Sequence, residues 1–324
     1  CTYSNQKPNS EKEYIHKRNS KKPTLHFDEN GVCSACKVAE VKKEVNWESR
    51  EEELKELCDR YRRNDGQYDC LVPGSGGKDS FYAAHKLKYK YGMNPLTVTW
   101  APHIYTEWGW KNFQAWMHAG FDNYLFTPNG RVHRLLTRLS LEQLFHPFQP
   151  FILGQKTFIP KMAAKLDIPL VFYGETPGEY GEEVSHETSE FAQSGTNSES
   201  EGFKLDYIGN TQQRDILLGG KPVGEYLDEG VPLVELQSYL PLDANIIADK
   251  NISFQYLGYY KSWVPQEAYY YAVDNAAFEA NPVRTEGTYS KYNSIDDKTD
   301  GFFYYTRWIK FGVGRAMLDS AQGI

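Results

Sequence analysis

The chain has 324 residues, a formal net charge of −7, 40% hydrophobic and 24% charged residues. That allows one elaborated domain or two sharing a core, with the composition of a soluble globular protein. The acidic balance gives no support for a nucleic-acid surface. No apolar run is long enough to span a bilayer and the polar, lysine-rich start is no signal peptide, so a cytoplasmic chain without a membrane span is expected.

Four segments are expected: a cysteine-bearing stretch and helix at 1–64, an α/β core at 65–183, an insertion and connection at 184–238, and an aromatic-rich, mainly helical region at 239–324. The chain opens at Cys1 rather than Met and stops at Ile324 inside a helical pattern, so it reads as trimmed at both ends. Residues 47–64 read as an amphipathic helix with Leu54, Leu57 and Tyr61 on one face. A strand at 68–73 runs into a glycine loop, and a helix at 80–91 stops at Gly92. Strands at 96–100, 123–126 and 170–173 then alternate with helices at 110–119, 131–145 and 156–166. This alternation predicts an α/β fold: a parallel sheet with helices on both faces, its ligand site at the carboxyl ends of the strands. From Gly181 to about Phe203 the composition shifts to Glu, Ser, Thr and Gly, as in a mobile surface insertion. Beyond it come a strand at 252–257, a helix at 266–278 led by Pro265, and a terminal helix at 300–320.

The loop is Gly74-Ser75-Gly76-Gly77-Lys78-Asp79-Ser80. Strand, glycine loop and helix in that order make a phosphate site, because successive N–H groups and the positive helix end face one anion. A Walker A loop would need Gly at position 72, which is Val. The dinucleotide fingerprint would need a small residue where Asp79 stands. What remains, Ser75-Gly76-Gly77-Lys78-Asp79-Ser80, resembles the signature of the PP-loop ATP pyrophosphatases, a HUP-type, adenine nucleotide alpha-hydrolase-like fold. Gly76 and Gly77 are expected to let the backbone approach the phosphates. Ser75 and Ser80 supply hydroxyls, Lys78 a charge, and Asp79 a carboxylate for Mg2+. The plain alternative is a surface turn with an ordinary helix cap at Asp79 or Ser80.

Longer stretches resemble the N-acetyl sugar amidotransferases of surface-polysaccharide (lipopolysaccharide O-antigen) biosynthesis. They include residues 27–36, 68–80, Ala101-Pro102-His103-Ile104-Tyr105-Thr106, 126–138, 146–151, 154–156, 171–175, 286–292 and Asp296-Asp297-Lys298. The resemblance runs from about residue 24 to the end of the chain. It implies an AMP-forming C–N ligase in which ATP adenylylates the oxygen of a sugar acetamide and ammonia displaces AMP, leaving an acetamidino group. Implied partners are the N-acetyl sugar and a separate glutaminase resembling that of imidazole-glycerol-phosphate synthase, with a cyclase-like subunit beside it. Lys78, Asp79 and Lys291 are the implied catalytic residues. Ser75 to Ser80, Thr99, Ala101, Gly174 and Glu175 are the implied ATP contacts.

Other positions leave two readings open. His133 reads as a core or capping histidine as readily as a ligand contact, and Arg134 and Arg138 either hold an anion or face solvent. Glu175 and Glu179 are substrate or metal contacts, or surface carboxylates. Asp296 and Asp297 either cap the terminal helix, the safer reading, or ligate the metal. Cys33-Ser34-Ala35-Cys36 has a zinc-knuckle spacing. A structural Zn2+ on Cys1, Cys33 and Cys36, with His16 or His26 as the fourth ligand, competes with a site that has lost its metal. Cys58 and Cys70 read as packing residues. Two other functions compete: a tRNA-modifying (thiolating) PP-loop enzyme, and a nucleotide-binding module without catalysis. The acidic charge and the lack of any Cys after Cys70 oppose the first, and the intact Lys78-Asp79 pair opposes the second.

Overall fold

The computed structural model describes residues 27–33, 36–37, 40, 43–174, 212–312 and 314–316. The insertion expected at 181–203 lies outside them, as do Cys1, His16, His26, Glu175 and Glu179.

In chain order the principal elements are α1 (Trp47–Tyr61), β1 (Cys70–Pro73), α2 (Lys78–His85) and β2 (Pro95–Trp100). They continue with α3 (Glu107–His118), β3 (Asn123–Phe126), α4 (Gly130–Leu144), α5 (Gln149–Leu166) and β4 (Leu170–Tyr173). After short helices and a two-stranded hairpin come β5 (Ser253–Tyr256), α6 (Pro265–Ala276) and α7 (Asp300–Phe311). The five strands make one sheet in the order β3-β2-β1-β4-β5, every pairing parallel. The molecule is therefore an α/β protein with a helical C-terminal region, as the alternation predicts. None of the described helices is long and apolar enough to cross a membrane.

Period-two alternation sorts the core into two layers. Cys70, Val72, Leu170 and Phe172 face one cluster with Leu54 of α1, Phe81 of α2 and Trp116 of α3. Leu71, Leu96, Val98 and Val171 face the other, against Ile159 and Ala163 of α5. Strands covered on both faces read as near-continuous apolar runs, and β4 is one of these, whereas the edge strand β3 exposes Tyr124 and Leu125.

Several boundaries differ from expectation; helix α3, for one, starts at Glu107 rather than Trp110. Helix α2 starts at Lys78 rather than Ser80, so the last loop residues form its first turn, and a π-helical turn at Lys86–Lys90 extends it. Helix α5 starts at Gln149 rather than Lys156. Pro150 is harmless in its first turn, where N–H groups have no helical partner anyway. Gly154, which looks like a breaker, is held inside the helix by packing, since a Cβ there would lie 2.2 Å from the Trp100 ring. Helix α7 stops at Phe311, where Gly312 takes a left-handed φ of 66° as its cap.

Candidate functional site

Strand order reverses at β1, whose neighbours β2 and β4 lead the chain in opposite directions. The crevice beyond the carboxyl ends of β1 and β4 is the topological switch point, where open α/β sheets bind ligands. The glycine loop leaves β1 there. Gly174 leaves β4 beside it, so close that a Cβ would lie 3.3 Å from the Asp79 carbonyl oxygen.

The loop's glycines have different jobs. A Cβ on Gly74 would meet Ser80 at 2.2 Å and the Trp116 ring at 2.6 Å. Gly76 has φ +89°, and a Cβ there would lie 2.7 Å from the Phe113 Cα. These two glycines let the loop pack on its own protein. For Gly76 the packing on α3 is a requirement of the fold in its own right. Only Gly77, the N-cap of α2, faces open space, with Ser75 Oγ the nearest atom at 3.9 Å.

The polar side chains follow the same division. Ser80 Oγ donates to the Gly77 carbonyl at 3.0 Å, closing the first turn of α2. Lys78 is buried, its Nζ 2.5 Å from Asp79 Oδ2 and over the Tyr292 ring at 5.6 Å. Asp79 Oδ1 is buried without a hydrogen-bond partner among the described residues. A buried carboxylate oxygen left unpaired is costly, and a divalent cation shared with phosphate oxygens would satisfy it. The Lys78-Asp79 pair thus fits Mg2+ with a nucleotide.

Ser75 donates to Asp296 Oδ2 at 2.8 Å, across 221 residues of sequence. Around it, the stretch before α7 is sewn to the loop after β2. Thr106 N–H donates to the Asp296 carbonyl at 3.1 Å, and Lys298 N–H to the Ile104 carbonyl at 2.9 Å. Gly109 is glycine because a Cβ would lie 2.5 Å from the Asp296 backbone. Asp297 faces the other way. Its Oδ2 accepts from the His103 backbone N–H and lies 3.2 Å from His103 Nδ1. Its Oδ1 accepts from Thr299 N–H and Oγ1. Burial alone would raise the Asp297 pKa, but the bonds from His103 and Thr299 make the net shift downward. So Asp297 secures the turn into α7, close to the expected cap, while Asp296 belongs to the glycine loop instead. No sequence spacing signals the Ser75–Asp296 contact.

The remaining predicted positions separate. Ala101 is buried and donates its N–H to the Phe126 carbonyl at 2.9 Å, at the carboxyl end of β2. Thr99 is fully buried and its hydroxyl accepts from Asn123 Nδ2 at 3.0 Å, a bond that ties β2 to β3. Lys291 is exposed, and its neighbour Tyr292 is the residue that reaches Lys78. His133 is a core histidine: its Nδ1 lies 2.8 Å from the Tyr239 hydroxyl, and burial followed by nearby His103 pushes its pKa down to about 4. Arg134 is exposed, and Arg138 pairs with Glu142 at 3.7 Å on the solvent side of α4. Cys58 and Cys70 are buried, as packing residues are. Cys36 shares a thiol hydrogen bond with Cys33, which raises its pKa. Two neighbouring thiols fit half a zinc site, although no group of three or more metal-ligating side chains gathers among the described residues.

A cavity of about 330 Å3 lies at the other end of the sheet, lined in part by Arg62, Arg63, Asp167 and Lys250. Three of its cations are paired: Arg62 with Asp59, Arg63 with Asp65 and Lys250 with Asp167. The buried, unpartnered Asp79 oxygen lies at the carboxyl edge instead.

Asp300, at the start of α7, has its pKa raised to about 8 by burial and then by Asp296 and Asp297. The folded state holds a proton that the unfolded state releases above about pH 4, so stability falls as pH rises from about 4 to about 8. Asp300→Asn should melt a few degrees above wild type at pH 8 and alongside it at pH 4. A thermal melt series across that range checks this.

The fold and the crevice define a doubly wound α/β protein with a glycine loop at its switch point. No family model matches the chain. Over 84 residues, 26% of the chain, it is 32% identical to an uncharacterized protein of Methanocaldococcus jannaschii. The match covers 30% of that protein's length.

Proposed function

We propose that the protein is an ATP-dependent, AMP-forming amidotransferase that converts the acetamido group of a nucleotide-linked or acidic sugar into an acetamidino group. The observation that carries the nucleotide part is the buried, unpartnered Asp79 oxygen beside Lys78 in a glycine loop at the switch point. In this reading the Gly77 N–H and the N-terminus of α2 take a phosphate. Asp79 would hold Mg2+, which when bound would supply charge stabilisation for the departing pyrophosphate. An amide oxygen is a poor leaving group until adenylylated, so cleavage of ATP between α- and β-phosphates suits the chemistry. The sugar acetamide, surface-polysaccharide biosynthesis, the ammonia-supplying glutaminase and a cytoplasmic location rest on the sequence resemblance.

With ATP, Mg2+, ammonium and a diacetamido sugar, the protein should yield AMP, pyrophosphate and a product one mass unit lighter. Pyrophosphate released only with tRNA would replace this reading with a tRNA-modifying one. No turnover with any substrate would leave a binding module. We also propose a structural zinc on Cys33 and Cys36 together with Cys1. Elemental analysis of the purified protein should then give about one Zn2+ per chain.

A further inference from the structure

The carboxylates around the glycine loop are not equivalent. Asp79 pairs with Lys78, and both oxygens of Asp297 are taken by His103 and Thr299. Asp296 alone of these bonds a hydroxyl of the phosphate motif itself, accepting from Ser75 Oγ at 2.8 Å. Its backbone is fixed by Thr106 N–H and by the absence of a side chain at Gly109. When a nucleotide takes the Ser75 hydroxyl, Asp296 loses that donor and is left next to the bound phosphates.

Resting on the amidotransferase reading above, we propose that Asp296 takes the amide N–H proton as the substrate's amide oxygen attacks the α-phosphate. An oxygen lone pair forms the new O–P bond, and the bond from the α-phosphorus to the bridging oxygen breaks, so pyrophosphate leaves with that pair. The C=O π pair settles on that oxygen as the nitrogen lone pair forms the C=N bond of the adenylylated imidate, the N–H pair becomes the new nitrogen lone pair, and the proton passes to the Asp296 carboxylate. Ammonia then bonds to the imidate carbon. The C=N pair returns to the sugar nitrogen, which recovers the proton from Asp296. The added nitrogen loses one proton to solvent, and the C–O bond breaks as AMP leaves.

The surroundings suit a group that gains and returns a proton. Facing Asp296 are Tyr105 from the loop after β2, Asp297 beside it and Asp300 from α7. Burial raises the Asp296 pKa, the Ser75 bond opposes the rise, and Asp297 adds to it. Loss of the Ser75 bond to a nucleotide therefore strengthens Asp296 as a proton acceptor at the moment the amide oxygen needs one.

The test compares wild type with Asp296→Asn in the AMP-release assay, alongside calorimetric binding of Mg·ATP. The variant should bind ATP at least as tightly as wild type, because a negative charge beside the phosphates is gone. Its kcat should fall by about 10²–10⁴-fold, with the KM for ATP unchanged. The wild-type rise of kcat with pH through a carboxylate ionisation should be absent. Asp296→Glu, which retains the charge, should recover that pH profile at reduced kcat, and it serves as the test if the asparagine variant does not fold. Wild-type kcat and pH profile in Asp296→Asn would overturn the proposal alone. So would ATP binding weakened tenfold or more, since Asp296 would then merely hold the loop. Absence of AMP from the wild-type protein would instead sink the amidotransferase reading, and this proposal with it.

Discussion

Asp79→Ala is expected to lower AMP release by at least about 10²–10³-fold, the scale of losing one preorganised charge-stabilising group at a reacting phosphate. On the reading proposed above, in which the Gly77 N–H and the N-terminus of α2 take phosphate, the loss should be in kcat. The fold should survive: α2 keeps its cap through Ser80 and Gly77, and the Lys78 ammonium keeps the Tyr292 ring beneath it. Stranding that buried lysine costs about 1–3 kcal/mol, visible as a lower Tm. Asp79→Asn separates the two effects, since its side-chain oxygen still accepts from Lys78 without the charge a divalent ion needs. Turnover at the wild-type rate in Asp79→Ala would remove Asp79 from the mechanism.

Gly76→Ala should be more damaging to the structure than any other single change in the loop. At φ +89° a side chain is strained by about 1–2 kcal/mol. The added Cβ would also press on the Phe113 Cα at 2.7 Å and the Asn112 carbonyl oxygen at 2.8 Å, both backbone atoms of α3. Either the loop or α3 must move, so a total cost above about 3 kcal/mol is expected, with ATP binding lost as well. Gly77→Ala is the counterpart. Its φ is an ordinary −66° and its Cβ has room, so the folded protein should melt like wild type. Weakened ATP binding in that variant, measured by calorimetry, would place the phosphates against Gly77. Unchanged affinity would place them elsewhere.

What could be read from the sequence was whatever is written in local order. Strands β3 and β4 have the expected limits because their apolar runs end at turn-forming residues. The loop was legible because its residue types and spacing are contiguous. Helix ends were harder. Gly154 and Pro150 look like interruptions until Trp100, a residue on another element, explains one and the first-turn position explains the other. Arg134 and Arg138 show the limit of facial spacing: four residues apart describes a solvent face as well as an anion site. Thr99 shows another limit, since a hydroxyl at the end of a strand served the sheet through Asn123. Asp296 was out of reach for a different reason. Its partner is fixed by tertiary closure, and nothing in Asp296-Asp297 tells which carboxylate turns toward Ser75.

That closure bears on the protein's synthesis. Strands β1 to β4 and the glycine loop are all made before residue 175, and β5 completes the sheet by Tyr256. The contacts that finish the loop come later still, from Tyr292 on Lys78 and Asp296 on Ser75. A nascent chain still growing past β5 on the ribosome therefore carries a full sheet and an unfinished cradle. Those two contacts can form only after residues 292 and 296 have left the ribosome, so the loop is completed late, after the sheet that carries it.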